Sequence, residues 1–184
     1  MGANGKAELE AESKLVHGVN KLWDNGIAVC VAAGNNGPEP QSITTPGISR
    51  KVITVGASDD SETVEVMGNI TSDYSGRGPT KECICKPDLV APGSNIWSCR
   101  AIGKNVFSSV KAMYVKKSGT SMSTPIVSGC VALVLSKNPK LNNNEVKMIL
   151  LGGTKDLGHK RSRQGRGLIQ VDKVLSNPYV MGAY

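Results

Sequence analysis

The sequence predicts an α/β fold whose sheet is mainly parallel. Two continuous apolar runs, at residues 27–33 and 52–57, have the length of strands and lack polar alternation, which is typical of parallel strands covered on both faces. A helical pattern precedes the first run and a loop separates the two, as expected for parallel strands joined by crossover connections. Aromatic residues are scarce and there are 21 glycines, so we expect a core of Val, Ile, Leu and Ala.

The N-terminal part of the chain is predicted to start with an amphipathic helix over residues 6–25. Its apolar face carries Leu15, Val19, Leu22 and Trp23. The two buried strands follow, and residues 34–38 form the loop after the first of them. Residues 58–117 are predicted to hold short strands and turns, including a strand at 89–93 that ends at Pro92.

The C-terminal part is predicted to be mainly helical. Thr120–Lys137 is apolar almost all round, which places this helix, buried, in the centre of the fold. Asn142 and Glu145 have the spacing of a capping box and start a second helix. A basic loop at residues 154–167 and a short final element at 168–175 complete the prediction.

The net charge of +7 comes largely from two groups of basic residues. These are Lys111, Lys116 and Lys117, and Lys160, Arg161, Arg163 and Arg166. No aromatic side chains interleave with either group to stack on bases, so we expect solvated surface loops and no nucleic-acid partner. The sequence contains no apolar run long enough to span a bilayer, and no membrane partner is predicted.

The five cysteines form an odd set without a clear disulfide pattern. Cys30 and Cys130 lie inside apolar runs, so both are predicted to be buried free thiols. Cys83 and Cys85 have a CxC spacing but lack the second pair that a zinc site needs, and no metal site is predicted. This use of cysteine favours a reducing, cytoplasmic compartment.

Residues 119–125, with the sequence GTSMSTP, place two serines at the start of the long apolar helix. A serine hydroxyl at a helix N-terminus lies among unpaired N–H groups, which suits an oxygen that develops negative charge in acyl transfer. The alternative is that Ser121 or Ser123 only caps the helix. Asn35, just beyond the first buried strand, is either a turn residue or a donor to such an oxyanion.

Six segments resemble, in order, those of one protease family. They are residues 31–37, 45–57, 74–79, 86–93, 119–125 and 165–169. Over about residues 1–176, the chain is similar to the C-terminal half of the catalytic domain of the subtilases, the subtilisin-like serine proteases. The resemblance implies a three-layer α/β/α fold, here incomplete because the N-terminal strands are absent. It makes residues 1–184 the C-terminal part of a single domain.

The resemblance implies the chemistry of a serine endopeptidase acting on polypeptides through an acyl-enzyme. Ser121 would be the nucleophile. Asn35 and the backbone N–H of Ser121 would donate hydrogen bonds to the oxyanion.

The resemblance also implies a pocket for the side chain that precedes the scissile bond. Ala32, Ala33 and Gly34 would line one wall of this pocket, and Gly2 would belong to the opposite wall. The Thr45–Pro46 peptide bond is expected to be cis, as in the family.

The chain departs from the family in its proton-handling residues. A serine nucleophile needs a base and a carboxylate that orients it, and the family supplies both from motifs upstream of the matching segments. The two histidines here, His17 and His159, are predicted to be surface residues. We therefore predict the fragment of an endopeptidase that carries the nucleophile and is inactive alone.

Two other functions compete with the interpretation as an endopeptidase. The alternative that remains open is a non-catalytic, subtilase-like module that binds peptides or assembles with other chains. The elbow of an α/β-hydrolase does not fit, because Ser123 stands where that motif has glycine.

The sequence predicts no cofactor, and calcium is implied by the family resemblance only, since no dense carboxylate loop marks a site. The family also allows secretion, beside the cytoplasmic location that the cysteines favour. A parallel sheet without its outer strands exposes an edge, so we expect self-association through that edge.

Overall fold

The computed structural model describes residues 9–101 and 113–182 of the chain. A single 3-10 turn at Glu10–Glu12 precedes the α-helices described. The helices are α1 (Lys14–Asp24), α2 (Thr120–Lys137), α3 (Asn143–Gly152), α4 (Arg161–Gln164), α5 (Val171–Leu175) and α6 (Pro178–Met181). The strands are β1 (Cys30–Ala32), β2 (Ile53–Ala57), β3 (Val64–Val66), β4 (Asn69–Thr71), β5 (Leu89–Ala91), β6 (Ile96–Cys99), β7 (Tyr114–Lys117), β8 (Thr154–Lys155) and β9 (Leu168–Ile169).

A five-stranded sheet with the order β1-β2-β5-β9-β8 organises the fold. The pairs β1–β2, β2–β5 and β5–β9 are parallel, and β8–β9 is antiparallel. Two separate hairpins, β3–β4 and β6–β7, lie outside this sheet. The prediction of an α/β fold with a mainly parallel sheet is confirmed.

Both faces of the central strand β2 are covered, as its uninterrupted apolar sequence predicts. Ile53 and Val55 point into the main core, which α2 and α3 also form. On the opposite face, the Thr54 hydroxyl donates to the carbonyl of Gly47 at 2.7 Å, and a Cβ on Gly56 would contact Pro87. Helices thus cover one face, and loop segments cover the other.

The long helix α2 has the predicted bounds, but the prediction that it is buried all round is wrong for the described residues. Val127, Val131 and Val134 face the sheet and are buried, whereas Leu133 on the other side is 47% exposed. The apolar sequence indicated burial, but among the described residues no further layer covers the outer face of the helix. The predicted start of α3 is correct, because Asn142 and Glu145 form a reciprocal capping box.

The first helix and first strand are shorter than predicted. Residues 6–8 of the predicted helix lie outside the described part of the chain. Residues 9–25 contain the 3-10 turn and α1, since Ser13 caps α1 by accepting from the Val16 N–H. Of the apolar run 27–33, only β1 has strand geometry, although Val29 still accepts a hydrogen bond from Ile53 across the pair. The Thr45–Pro46 peptide is cis, as expected from the resemblance.

The basic residues near the C-terminus differ from the prediction, because one of them forms an ion pair with a buried carboxylate. Residues 154–167 are not a loop throughout, because they contain β8 and α4. Arg163 of α4 is not simply solvated, since its guanidinium pairs with the fully buried Asp60 at 2.9 Å. Arg77 pairs with the other oxygen of Asp60 at 2.7 Å, so two cations hold one buried carboxylate.

The cysteines in the structure are all free thiols. Cys130 is buried as predicted, whereas Cys30 at the sheet edge is half-buried. Burial raises the pKa of both thiols, which keeps them protonated and unreactive. None of the helices described is both long and apolar enough to cross a bilayer.

Candidate active site

The two residues predicted to carry the chemistry lie at one cleft. Asn35 follows the carboxyl end of β1, and Ser121 lies in the first turn of α2. Both line a cleft of about 1190 Å³. The packing of α2 against β1 and β2 brings the start of the helix to the carboxyl edge of these parallel strands, where sites of open α/β sheets form.

Hydrogen bonds fix the orientation of the Asn35 amide. Its Oδ1 accepts from the backbone N–H of Thr120 at 2.9 Å and from the Thr120 hydroxyl at 3.0 Å. The same hydroxyl accepts from the N–H of Gly34 at 3.2 Å, so Thr120 joins the β1 loop to the helix. Because Oδ1 is engaged, the Nδ2 group remains a donor, and no acceptor among the described residues pairs with it.

The backbone around Ser121 leaves one donor unused. The N–H of Thr120 is taken by Asn35, and the N–H of Met122 donates to the carbonyl of Gly119 at 2.8 Å. Within the described part of the chain, no acceptor pairs with the N–H of Ser121. This N–H and the Asn35 Nδ2 are therefore two unpaired donors at the positive end of a helix dipole, an arrangement that can stabilise an oxyanion.

The structure distinguishes the two serines that the sequence leaves open. The side chain of Ser121 is exposed at the cleft, whereas Ser123 is fully buried and its Oγ has no hydrogen-bond partner. A Cβ at Gly93 would overlap this Oγ, so no substrate reaches it. Neither serine caps α2, because the N-cap residue is Gly119, with a φ of 138° that disfavours side chains.

The residues predicted to line the specificity pocket separate into three groups. Ala32 and Gly34 line the cleft, as predicted. The side chain of Ala33 does not, because it is fully buried in a small cluster with Val16, Ile43 and Ile48. Successive residues of an extended segment point to opposite sides, which turns Ala33 away from the cleft. Gly2 lies outside the described residues.

No histidine of the described residues lies at the cleft. His17 is exposed on α1, where its Nε2 contacts the carbonyl of Ala11 at 3.0 Å. His159 is exposed beside α4, remote from the residues that line the cleft. The arrangement can therefore bind and polarise a carbonyl group, but the described residues place no histidine beside Ser121.

A polar network, which the sequence analysis missed, supports the segment that leads into α2 at Gly119. Asp59 accepts from the N–H groups of Gly93 and Ser94, at 2.7 and 3.0 Å. The carbonyl of Gly93 in turn accepts from the N–H of Gly119 at 2.8 Å. Tyr74 contacts the Ser94 hydroxyl at 2.9 Å, and burial raises the pKa of Tyr74 to about 12. An aspartate two residues after a buried strand was the signal in the sequence.

Among the described residues, no group of three or more His, Cys, Asp or Glu side chains could hold a metal ion. The structure therefore assigns no cluster of side-chain ligands to calcium.

The chain is similar to known proteins in sequence and in fold. Residues 4–167 match the model of the Subtilase family. The chain is 47% identical over 150 residues to the serine protease AprX of Bacillus subtilis (strain 168), covering 79% of this chain and 34% of AprX. It is 32% identical over 160 residues to subtilisin DY of Bacillus licheniformis, covering 86% of this chain and 50% of the relative.

Solved structures agree with this result. The prenylagaramide maturation protease PagA superposes with a TM-score of 0.70 and 25% identity, over 99% of this chain and 60% of PagA. The S41 psychrophilic protease superposes with a TM-score of 0.69 and 26% identity, over 93% of this chain and 55% of that protein. The chain thus spans between a third and two thirds of the proteins named here.

Proposed function

The chain belongs to the subtilase family, and from this premise we propose that it is the part of a serine endopeptidase that carries the nucleophile and the oxyanion donors. The observation that carries the proposal is the pair of unpaired donors beside the exposed Ser121. A helix cap or a turn asparagine has no need of them. A site for a developing oxyanion needs two donors fixed before the reaction.

We assign the following chemistry to this arrangement. The Ser121 Oγ attacks the carbonyl carbon of the scissile peptide bond while its proton passes to a general base. The carbonyl oxygen becomes an oxyanion, which accepts from the Asn35 Nδ2 and from the Ser121 N–H. Collapse of this intermediate breaks the C–N bond, the amine leaves with a proton from the base, and water then hydrolyses the Ser121 ester.

The general base and its orienting carboxylate are assigned to residues other than those described here. His17 and His159 are exposed and lie away from the cleft, so neither is placed to accept the Ser121 proton. The chain alone is therefore expected to bind a carbonyl without activating Ser121. The same observation favours the second candidate, a non-catalytic module that binds peptides, because a built cleft without a base would serve binding alone.

Active-site labelling with a fluorophosphonate tests the proposal. The 184-residue chain is compared with a chimera in which the AprX residues that precede its matching region are joined to this chain. We expect no labelling of the chain alone, and labelling of the chimera that Ser121→Ala abolishes. A folded chimera that is not labelled would favour the non-catalytic module. Labelling of the chain alone that Ser121→Ala removes would show that a base is present within it.

The substrate class and the cellular compartment are also proposals. A polypeptide substrate follows from the proposed endopeptidase activity. The cytoplasmic compartment rests on the free thiols alone.

A further inference from the structure

We propose that the cleft selects peptides with an acidic side chain close to the scissile bond, through Lys116 and Lys117 of β7. The inference rests on the proposed function, because it names the substrate class of that same cleft. Both lysines line the cleft together with Ser121.

The position of β7 ties both lysines closely to the nucleophile. β7 ends at Lys117, and only three residues separate it from Ser121. A chain of four residues spans at most about 14 Å, so the Lys117 Cα lies within reach of a peptide whose carbonyl meets Ser121. The Ser118 hydroxyl accepts from the N–H of Asn95 at 2.9 Å, which holds this connection against the segment that leads into β6.

The two ammonium groups form no ion pair with any residue that the structure describes. Among the described residues neither Lys116 nor Lys117 forms an ion pair, and both are exposed. The lysines elsewhere that do form ion pairs, such as Lys51 with Asp24, are already neutralised. An exposed cleft wall with two free cations is a surface on which an acidic group gains attraction without breaking an existing pair.

One acidic residue, Glu65 of β3, also lines the cleft. Like the two lysines, it forms no ion pair with any described residue. It belongs to the other hairpin, so a bound peptide meets the lysines along β7 and Glu65 along β3. The lining therefore carries two positive charges and one negative charge, and removal of Glu65 is expected to strengthen the preference for acidic peptides.

Consecutive residues of a strand point to opposite faces, yet both lysines line the cleft. Val115 and Ser118 line it as well, so the cleft follows the chain from β7 towards α2 and both lysines border a bound peptide. An acidic side chain of that peptide can therefore reach one of the two ammonium groups. We accordingly expect the cleft to select peptides that carry an acidic side chain near the scissile bond, without requiring it at one particular position.

The test measures binding of three fluorescent peptides to the 184-residue chain by anisotropy. The peptides differ only in carrying Asp, Asn or Lys beside the central bond. At low ionic strength the Asp peptide is expected to bind about three- to tenfold more tightly than the Asn peptide, with the Lys peptide weakest. About 1 M salt should remove the difference, because it shortens the screening length to about 3 Å.

Variants assign the effect to the two lysines. The double variant Lys116→Gln/Lys117→Gln is expected to bind the Asp and Asn peptides within about twofold of each other, and Glu65→Gln to widen their difference. Lys137→Gln is the matched control, because it removes the same charge at the exposed far end of α2, about 24 Å of helix from Ser121. It should leave the preference unchanged.

Several results would overturn the inference. These are equal binding of the three peptides, no binding of any of them, or a preference that survives in the double variant. Fluorophosphonate labelling of the chimera reads the reactivity of Ser121 and not the charge of the cleft. Labelling with no charge preference would therefore refute only the inference, and a charge preference without labelling would refute only the catalytic proposal.

Discussion

Asn35 illustrates how one amide can be both a structural acceptor and a free donor. Its Oδ1 accepts two hydrogen bonds from Thr120, whereas its Nδ2 has no acceptor among the described residues. The sequence motif predicted the donor, but only the contacts of Oδ1 explain why the amide cannot rotate. Thr120 is therefore a positioning residue, which the sequence analysis quoted within the motif without assigning it a role.

Substitution of Asn35 separates these two roles. In the labelled chimera, Asn35→Asp keeps an acceptor for Thr120 but loses the donor, and we expect kcat to fall about 10²- to 10³-fold, the loss known for an oxyanion donor of subtilisin. Asn35→Leu loses both roles and should also lower the melting temperature. Peptidase kinetics and thermal unfolding measure the two effects. An Asp variant with full kcat would contradict the oxyanion assignment.

Lys86 provides a pH dependence at the residue scale. Its side chain is 1% exposed, and burial lowers its pKa from 10.5 to about 8, against the opposing attraction of Asp88. Between pH 8 and 10.5 the unfolded chain therefore binds more protons at this site than the folded chain. Raising the pH through this window disfavours unfolding, so Lys86 makes the protein more stable as the pH rises.

Urea unfolding at pH 7.5, 8.5 and 9.5 checks this sign. The free energy of unfolding of the wild type, relative to that of Lys86→Met, is expected to increase across the series. The series stops below pH 10, because the unfolded Tyr74 begins to ionise there while the folded phenol does not. A difference that falls with pH would mean that the folded state holds the Lys86 proton more tightly than the unfolded state.

At the scale of elements, the start of α3 was predicted from two residues and formed as predicted. The Asn142 side chain accepts from the N–H of Glu145 at 3.0 Å, and the Glu145 carboxylate accepts from the N–H of Asn142 at 2.7 Å. Both bonds are local in sequence, so the chain needs no tertiary partner to form them. A capping box is therefore among the features that sequence reasoning predicts best.

Removal of the cap should have a local and modest cost. Asn142→Ala is expected to lower the free energy of unfolding by about 1 kcal/mol, because the first turn of α3 loses an acceptor for its unpaired N–H groups. Asn142→Asp keeps the acceptor and should stay within a few tenths of a kcal/mol. Chemical denaturation of the three proteins measures both changes. Equal losses in both variants would point to a contact other than the cap.

The elements between β2 and α2 were predicted least well. The sequence predicted short strands and turns over residues 58–117, but it did not predict which strands pair with each other. The structure pairs β3 with β4 and β6 with β7, and these hairpins form the walls of the cleft. Each strand has three or four residues, too few for alternation of apolar and polar residues to specify a partner.

At the scale of the whole molecule, one edge of the main sheet is open. β1 pairs with β2 only, and no other described strand lies beside it. Ile27, just before β1, is 50% exposed, and Leu133 on the outer face of α2 is 47% exposed. An apolar surface next to an unpaired strand favours association of chains.

We therefore predict that the 184-residue chain self-associates. In sedimentation experiments its average mass should rise with concentration. Ile27→Lys should reduce this association, because a charge beside an edge strand disfavours pairing. Ile70→Lys is the matched control, since Ile70 is 75% exposed on β4, in the hairpin that is separate from the main sheet. A monomer at all concentrations, or equal suppression by both variants, would contradict association through β1.

The sequence by itself determined the local features of this protein. Apolar runs predicted the parallel strands, the capping pair predicted the start of α3, and the ordered motifs predicted the family. Each of these depends on residues adjacent in the chain or on a pattern shared by relatives. Such features can be predicted without knowledge of the three-dimensional packing.

Only the tertiary structure decided what depends on residues distant in sequence. It buried Ser123 and Ala33 while exposing Ser121, left the outer face of α2 uncovered by any described residue, and brought Lys116 and Glu65 into the lining of one cleft. Burial of a given side chain depends on which segments pack over it, and the chain positions that meet at the cleft are separated by up to 90 residues, from Ala32 to Met122. No local sequence pattern predicts that these positions lie together, because their proximity depends on the free energy of the whole folded chain.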